Sequence, residues 1–296
     1  MRWQIGDVTV TKVLESQSAF NIPQFFPQAS VAAIDAVPWL KPQFVDAAGQ
    51  GIFSIHTLVV DAPGKRIVVD TCVGDGKDRG AIEYYHRLET PFLDNFARAG
   101  FTRDSVDVVL CTHLHVDHVG WNTVFEDGAW VPTFPNARYL FDCREFAHWS
   151  REFGSAAAPD AQSLAFADSI QPVIQADLVT LVSDHHRICE EVALIPTPGH
   201  SPGHVSVVIT SRGESALITG DTVHHPCQLA HPDWHNPHFD FDPAQAEATR
   251  RRLLGEAADR SVLVIGTHWA GETAGYVRTV ETGTYRLASA EDGEAR

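Results

Sequence analysis

Thr112-His113-Leu114-His115-Val116-Asp117-His118 places three imidazoles and a carboxylate within six consecutive residues, directly after the apolar run Val108-Val109-Leu110-Cys111. A strand that ends in such a cluster has its backbone pairing satisfied behind it and projects its last side chains from the sheet edge, where alternate residues can converge on bound ions. A His-rich stretch alone could be a solvated loop. Three later residues argue otherwise. His200 follows the apolar stretch Val192 to Ile195, Asp221 closes Ala216-Leu217-Ile218-Thr219-Gly220, and His268 closes Ser261-Val262-Leu263-Val264-Ile265-Gly266-Thr267. Each stands just past a short hydrophobic run bounded by turn residues, as a buried strand reads, so all can reach one rim of one sheet system.

In these residues the chain resembles the metallo-β-lactamase-fold hydrolase superfamily, whose mark is His-x-His-x-Asp-His followed by Gly-His, Gly-Asp and a final His. The resemblance spans roughly residues 50 to 270. It implies that His113, His115 and His200 hold one metal, that Asp117, His118 and His268 hold a second, and that Asp221 bridges them. It also implies a supporting acid at Asp70, which ends Arg66-Ile67-Val68-Val69; the plainer alternative is an Asp that only caps the turn after it.

Imidazole and carboxylate ligands without thiolates suit zinc, and manganese, iron or cobalt less well. Two Zn2+ per chain are expected. Such a pair, about 3.5 to 4 Å apart, would share a water and lower its pKa towards neutrality, giving a bridging hydroxide and an electrophile for a carbonyl or phosphoryl oxygen. The expected activity is therefore hydrolysis of a small neutral or apolar lactone, ester or phosphotriester. Alternatives are a hydrolytic dehalogenase on the same site, a non-haem iron oxidase or dioxygenase with the same ligands, and a metal-stabilised binding protein.

Departures around the ligands subdivide the family. Metal-dependent β-lactamases usually carry Cys or Ser where this chain has Asp221. Hydroxyacylglutathione hydrolases share that Asp but have a basic C-terminal site not apparent here, and Trp121 replaces a Gly expected after Gly120. Acyl-homoserine lactonases place a Tyr shortly after the bridging Asp, where this chain has His224 and His225. The closest likeness is to the methyl parathion hydrolase and lactonase-like branch. Asp117 and His224 are the candidate catalytic residues. If His224 faces the metals it can hydrogen-bond the leaving group or oxyanion; if it faces away it is a loop histidine. Trp121, Trp234 and Trp269 are candidates for an aromatic wall, with core packing as the alternative. His231, His235 and His238 read as surface loop residues.

The formal charge of −16, with 22 Lys plus Arg against 38 Asp plus Glu, would repel a nucleic-acid backbone. The N-terminus runs straight into Val8 to Leu14 without a secretory pattern, and no run reaches transmembrane length, so a cytoplasmic chain without membrane contact is expected. Five scattered cysteines, Cys72, Cys111, Cys143, Cys189 and Cys227, suggest reduced thiols in the core.

The order of elements suggests an α/β protein, and the resemblance implies a four-layer αββα sandwich in one domain over residues 1–296. Expected hairpins join Phe53–Val60 to Arg66–Asp70 and Val205–Thr210 to Ser215–Thr219. One helix is expected from Pro91 with Thr90 as N-cap and Gly100 as stop, another from 244 to 258 behind Asp242-Pro243. An arm at about 18–50, rich in aromatics and poor in periodicity, should lie on the site mouth, on a second copy in a homodimer, or in the core. A cap insertion at about 142–190 should flank the metals, and Ser289 to Arg296 should fray.

Overall fold

The computed structural model describes residues 1–155 and 159–289; apart from Ser289, the expected frayed end lies outside them. The strands in chain order are β1 Arg2–Ile5, β2 Val8–Phe20, β3 Gly51–Ala62, β4 Lys65–Val69, β5 Val108–Leu110, β6 Thr123–Glu126, β7 Ala129–Pro132, β8 Arg138–Asp142, β9 Val179–Val182, β10 Val192–Pro196, β11 Val205–Ser211, β12 Glu214–Ile218, β13 Val262–Ile265, β14 Ala274–Glu281 and β15 Thr284–Ala288. A seven-stranded sheet has the order β1-β2-β3-β4-β5-β8-β9, and a six-stranded sheet runs β10 to β15 in sequence. Strands β6 and β7 form a separate hairpin.

Alternation along the strands assigns three cores, and these define four layers. Leu58, Val60, Ile67, Val69, Val108 and Leu110 of the first sheet meet Val205, Val207, Ile218 and Ile265 of the second in one apolar cluster. Their neighbours one residue away, Val59, Val68 and Val109, point to the opposite face. There they pack under Phe92 and Phe96 of the helix Phe92–Arg98 and under Phe166 and Ile170. On the far side of the second sheet Leu217, Val264 and Val277 bury Leu253 and Leu254 of the helix Pro243–Ala257, together with Phe26 and Phe44 of the N-terminal arm. A period of two feeds both faces of a sheet, so each sheet carries helices outside and the partner sheet inside.

Both expected hairpins are present, pairing Val60 with Ile67 and Thr210 with Ser215. Asp242 caps the late helix by accepting from Gln245 N at 2.9 Å. Thr90 does not cap the earlier one. The helix starts at Phe92 with Pro91 in the cap position, while the Thr90 hydroxyl and N–H both turn to Asp75 Oδ1 at 2.9 Å. The arm is more regular than its pattern suggests: Ser18 to Phe20 extend β2, and short helices span Ile22–Phe25 and Val31–Asp35. Of the cysteines, Cys72, Cys111 and Cys227 are buried, but Cys143 is exposed and Cys189 half-buried, so only three pack as expected. Among the described residues no helix is long and apolar enough to cross a membrane.

The loop after β4 is anchored by an unusual buried group. Lys77 and Arg79, both fully buried, reach Asp168 in the π-helical turn Phe166–Ile170: Arg79 Nη1 donates at 2.8 Å and Lys77 Nζ lies 3.4 Å away. Lys77 also donates to Thr123 Oγ1 at 2.7 Å and sits 3.6 Å from the centre of the Trp130 ring. Burial lowers its pKa from 10.5 to about 7; Asp168 opposes the shift and Arg79 adds to it. A lysine with a depressed folded pKa binds fewer protons than the unfolded chain above that value, so it adds stability as pH rises through the window. Wild type should thus gain on Lys77→Met by up to about 1.4 kcal/mol per pH unit between about pH 7 and 10. Urea melts across that range measure the difference, and a pH-independent gap would rule this out.

Candidate metal centre

Five strand ends, those of β4, β5, β10, β12 and β13, deliver the polar residues to one rim. Parallel pairing of β4 with β5 sets Val69 beside Leu110, so Asp70 and the loop Cys111 to His118 leave the first sheet together. Parallel pairing of β12 with β13 sets Ile218 beside Ile265, which brings Asp221 next to Thr267 and His268. Backbone bonds close the seam between the sheets: Val205 N donates to Thr112 O and Ser54 N to His268 O, both at 3.0 Å.

Two nitrogen groups result. His113 Nε2 lies 3.0 Å from His115 Nδ1 and 3.2 Å from His200 Nε2, and the last two are 2.9 Å apart. His118 Nε2 lies 3.1 Å from His268 Nε2, with Asp117 oxygens 3.8 Å from the former and 3.6 Å from the latter. Asp221 stands between the groups. Its Oδ2 is 3.2 Å from His268 Nε2 and 3.3 Å from His118 Nε2, but also 3.6 Å from His200 Nε2 and 3.9 Å from His113 Nε2. All seven sequence-derived ligand candidates are thus brought together.

The donor set fits a cation. The His113 ring Nδ1 faces Thr112 Oγ1 at 3.1 Å, whose own proton goes to Asp70 Oδ2 at 2.9 Å, so the His113 proton belongs on Nδ1. His200 Nδ1 faces the Asp240 carboxylate at 2.9 Å. With both protons so placed, the two Nε2 atoms present lone pairs to each other at 3.2 Å, a repulsive contact that a shared cation turns into coordination. Nitrogens held tetrahedrally about 2.0 Å from one zinc stand about 3.3 Å apart, close to these separations.

Electrostatics agree. Burial, and then the neighbouring imidazoles, hold His113 and His115 well below their usual pKa, which keeps them neutral and able to coordinate. For His118 burial again disfavours the charged form, but Asp221, Asp70 and Asp117 outweigh it and raise its pKa well above the ordinary value. Burial would raise the Asp221 pKa, yet His118, His268 and His224 carry it well below the usual carboxylate range. This is a field that favours positive charge at the rim.

Asp70 does more than cap a turn: it accepts Thr112 N at 2.7 Å and lies 3.0 Å from His118 Nδ1. His224 is buried and faces the cluster, its Nε2 3.5 Å from Asp221 Oδ2 and its ring 4.6 Å from that of His200. Burial, with His200 adding, drops its pKa to about 3 against the pull of Asp221.

Several contributors escaped the sequence reading. Asp240 holds His200, and Tyr85 donates to Asp117 Oδ2 at 3.1 Å. A phenol therefore stands at the site, entering from the loop after β4 and not from the segment after Asp221. His204, in the Gly199-His200-Ser201-Pro202-Gly203-His204 motif, accepts Asp221 N at 2.9 Å and so fixes the backbone that carries the Asp221 carboxylate. Gly220, at φ 55°, would place a Cβ 2.5 Å from His204 Nε2, which is why that motif needs glycine before the Asp.

The tryptophans do not form the wall considered for them. Trp121, Trp234 and Trp269 are all buried, and Trp269 is fully enclosed, its indole donating to Val223 O. The aromatic surface comes from elsewhere. Phe53 is 5.7 Å from His268 by ring centres, Phe25 is 5.8 Å from His224, and exposed Phe239 stacks on Phe25 at 5.7 Å. On the cap side Trp149 packs 5.3 Å from His115, beside His148, which meets exposed Phe241. The arm thus lays Phe25 on the mouth and Phe26 and Phe44 into the core. Of the three loop histidines, His231 is half-buried and stacks on Trp234 at 4.1 Å, His235 is also half-buried, and only His238 is exposed as expected.

A family model described as the metallo-beta-lactamase superfamily matches residues 51–268, a span holding every candidate ligand. The chain is 26% identical over 166 residues to N-acyl homoserine lactonase AiiA of Bacillus thuringiensis subsp. kurstaki, covering 56% of each chain. It spans less than two thirds of the length of the curated relatives it matches. Its fold is similar to that of the hydrolase AbOPH (TM-score 0.79, 24% identity, 97% of this chain and 96% of that one). It is similar also to AidC, a dizinc quorum-quenching lactonase solved with a product (TM-score 0.76, 22% identity, 98% and 96%).

Proposed function

The chain belongs to the metallo-beta-lactamase superfamily, and on that premise we propose that it is a dizinc hydrolase of small neutral or apolar lactones, esters or phosphotriesters. One observation carries this reading: a single carboxylate oxygen, Asp221 Oδ2, lies within 4 Å of imidazoles in both nitrogen groups. In this assignment His113, His115 and His200 would hold one ion and Asp117, His118 and His268 the other, with Asp221 available to both. Two such cations supply a water made nucleophilic near neutral pH and an electrophile for the substrate oxygen.

The chain's own residues then divide the remaining work. Asp240 and Tyr85 hydrogen-bond His200 Nδ1 and Asp117 Oδ2, and Asp70 stands 3.0 Å from His118 Nδ1, so each would orient one of the ligands. His224, neutral and beside Asp221, is placed to hydrogen-bond a leaving oxygen without adding charge. Phe25, Phe53, Phe239, Phe241 and Trp149 give the approach an apolar face, which favours uncharged substrates with an acyl or aryl group over anionic ones. The activity in AiiA's name makes lactones the first class to assay.

Purified chain, stripped with a chelator and reloaded with zinc, should recover turnover on at least one of a lactone, an aryl ester and a phosphotriester, with two ions bound per chain. Zinc-loaded protein inert on all three would refute the proposal. A single iron with oxygen uptake would replace it with the dioxygenase alternative.

A further inference from the structure

Two buried glutamates outside the ligand set each tie together a pair of chain segments at the site: for Glu145 both segments carry candidate ligands, for Glu15 one carries them and the other carries the supporting Asp70. Glu145, 1% exposed in the first turn of the helix Cys143–Ser155, accepts four hydrogen bonds. Leu114 N at 3.0 Å and Trp149 Nε1 at 2.7 Å use Oε1; Ser201 Oγ at 2.8 Å and Gly203 N at 2.9 Å use Oε2. Leu114 sits between His113 and His115, and Ser201 follows His200. One carboxylate therefore spans the loop of the first sheet and the loop of the second that together make the first nitrogen group.

Glu15, 4% exposed, enters at a bulge in β2 where the register with β3 shifts between Leu14 and Ser16. It accepts Val73 N at 3.0 Å, Gly74 N at 2.9 Å and Trp121 Nε1 at 2.6 Å. Val73 and Gly74 continue the loop that begins with Asp70, and Trp121 closes the loop that carries Asp117 and His118. Those loops are bonded to each other as well, through Thr71 N to His118 O at 2.8 Å and Trp121 N to Thr71 O at 2.6 Å. Among the described residues the Glu15 bonds reach Val73, Gly74 and Trp121 and nothing on the loop that carries His200.

We infer that Glu145 and Glu15 are positioning residues that set the two metal sites separately, Glu145 the His113–His115–His200 site and Glu15 the Asp117–His118–His268 site. This rests on the two-site reading above. A buried carboxylate offers both of its oxygens to these three or four donors, whereas an amide offers one acceptor atom and turns two protons on the other donors. In Glu145→Gln, either Leu114 N and Trp149 Nε1 or Ser201 Oγ and Gly203 N must face an NH2. One of the two ligand loops is released. The sequence spacing hides this, since the acids lie far from the residues they align.

Cobalt(II) titration of the stripped full-length chain, followed by visible absorption, tests the division. His115→Ala and His268→Ala define the spectrum of each site alone. Glu145→Gln should weaken cobalt binding about 10- to 100-fold at the site missing in His115→Ala and leave the other within about threefold; Glu15→Gln should do the reverse. If either Gln variant fails to fold by circular dichroism, Ser201→Ala and Trp121→Phe remove one donor from each glutamate and should shift the same site selectively by a smaller factor. Two ions in wild type, with equal losses at both sites or none in the variants, overturn the inference while the two-site reading stands. A wild-type chain that takes up one cobalt refutes that reading, and the division of labour falls with it.

Discussion

Asp221→Ala should lower kcat/KM by more than about a thousandfold on whichever substrate the chain accepts, with both ions bound less tightly. Its Oδ2 is the nearest anionic oxygen to the Nε2 atoms of His268 and His118 and the only carboxylate atom facing both nitrogen groups among the described candidates. Removing it leaves five imidazoles converging with too little negative charge to hold cations against one another. The field that raises the His118 pKa weakens at the same time, since Asp221 is the carboxylate that does most to oppose burial there. Steady-state kinetics and metal analysis on the same sample check this. Activity within tenfold of wild type would mean that one site, without a bridging carboxylate, performs the chemistry.

The second large effect is on folding. A Cβ on Gly120 would sit 1.8 Å from Val73 O and 1.9 Å from Val73 C, backbone atoms that cannot rotate away. Relief requires the Asp70 and His118 loops to separate. Separation breaks Gly120 N to Cys72 O at 2.7 Å and its two neighbouring cross-loop bonds. Overpacking costs about 1 to 3 kcal/mol and each lost buried hydrogen bond about 1 more, so Gly120→Ala should lose more than about 4 kcal/mol and melt about 10 °C or more below wild type. Gly154, with nothing within 4 Å of its added Cβ, is the control and should tolerate Ala. Equal melting temperatures for both variants would contradict the close approach.

The candidate ligands were legible because metal chemistry leaves a local trace: polar residues of a few types, each within seven positions of the end of an apolar run, need no knowledge of what lies across the sheet. The layered fold was legible through the family resemblance that those residues carry, and its two hairpins through the apolar runs broken by turn residues at Val59 to Val69 and Val205 to Ile218. What could not be read is what depends on distant partners. Asp240 meets His200 across 40 residues, Glu15 meets Trp121 across 106, and nothing around either acid distinguishes it from a solvated one. Trp121, Trp234 and Trp269 were candidates for the mouth because size and hydrophobicity suit a pocket wall and a core equally. The wall is made instead by Phe239 and Phe241, in a stretch with no strand or helix pattern, and by Phe25 of the arm. Thr90 failed as a cap because Asp75 offered its hydroxyl and N–H a better partner than the helix did.

Residues 113 to 118 hang from one half of the sandwich, and His200, Asp221 and His268 from the other. An ion pair shared among them would act as a removable rivet through the seam, so that the atoms doing the chemistry would also keep the halves in register. Selection on either property then constrains the same side chains, leaving the surrounding loops as the parts free to drift towards new substrates.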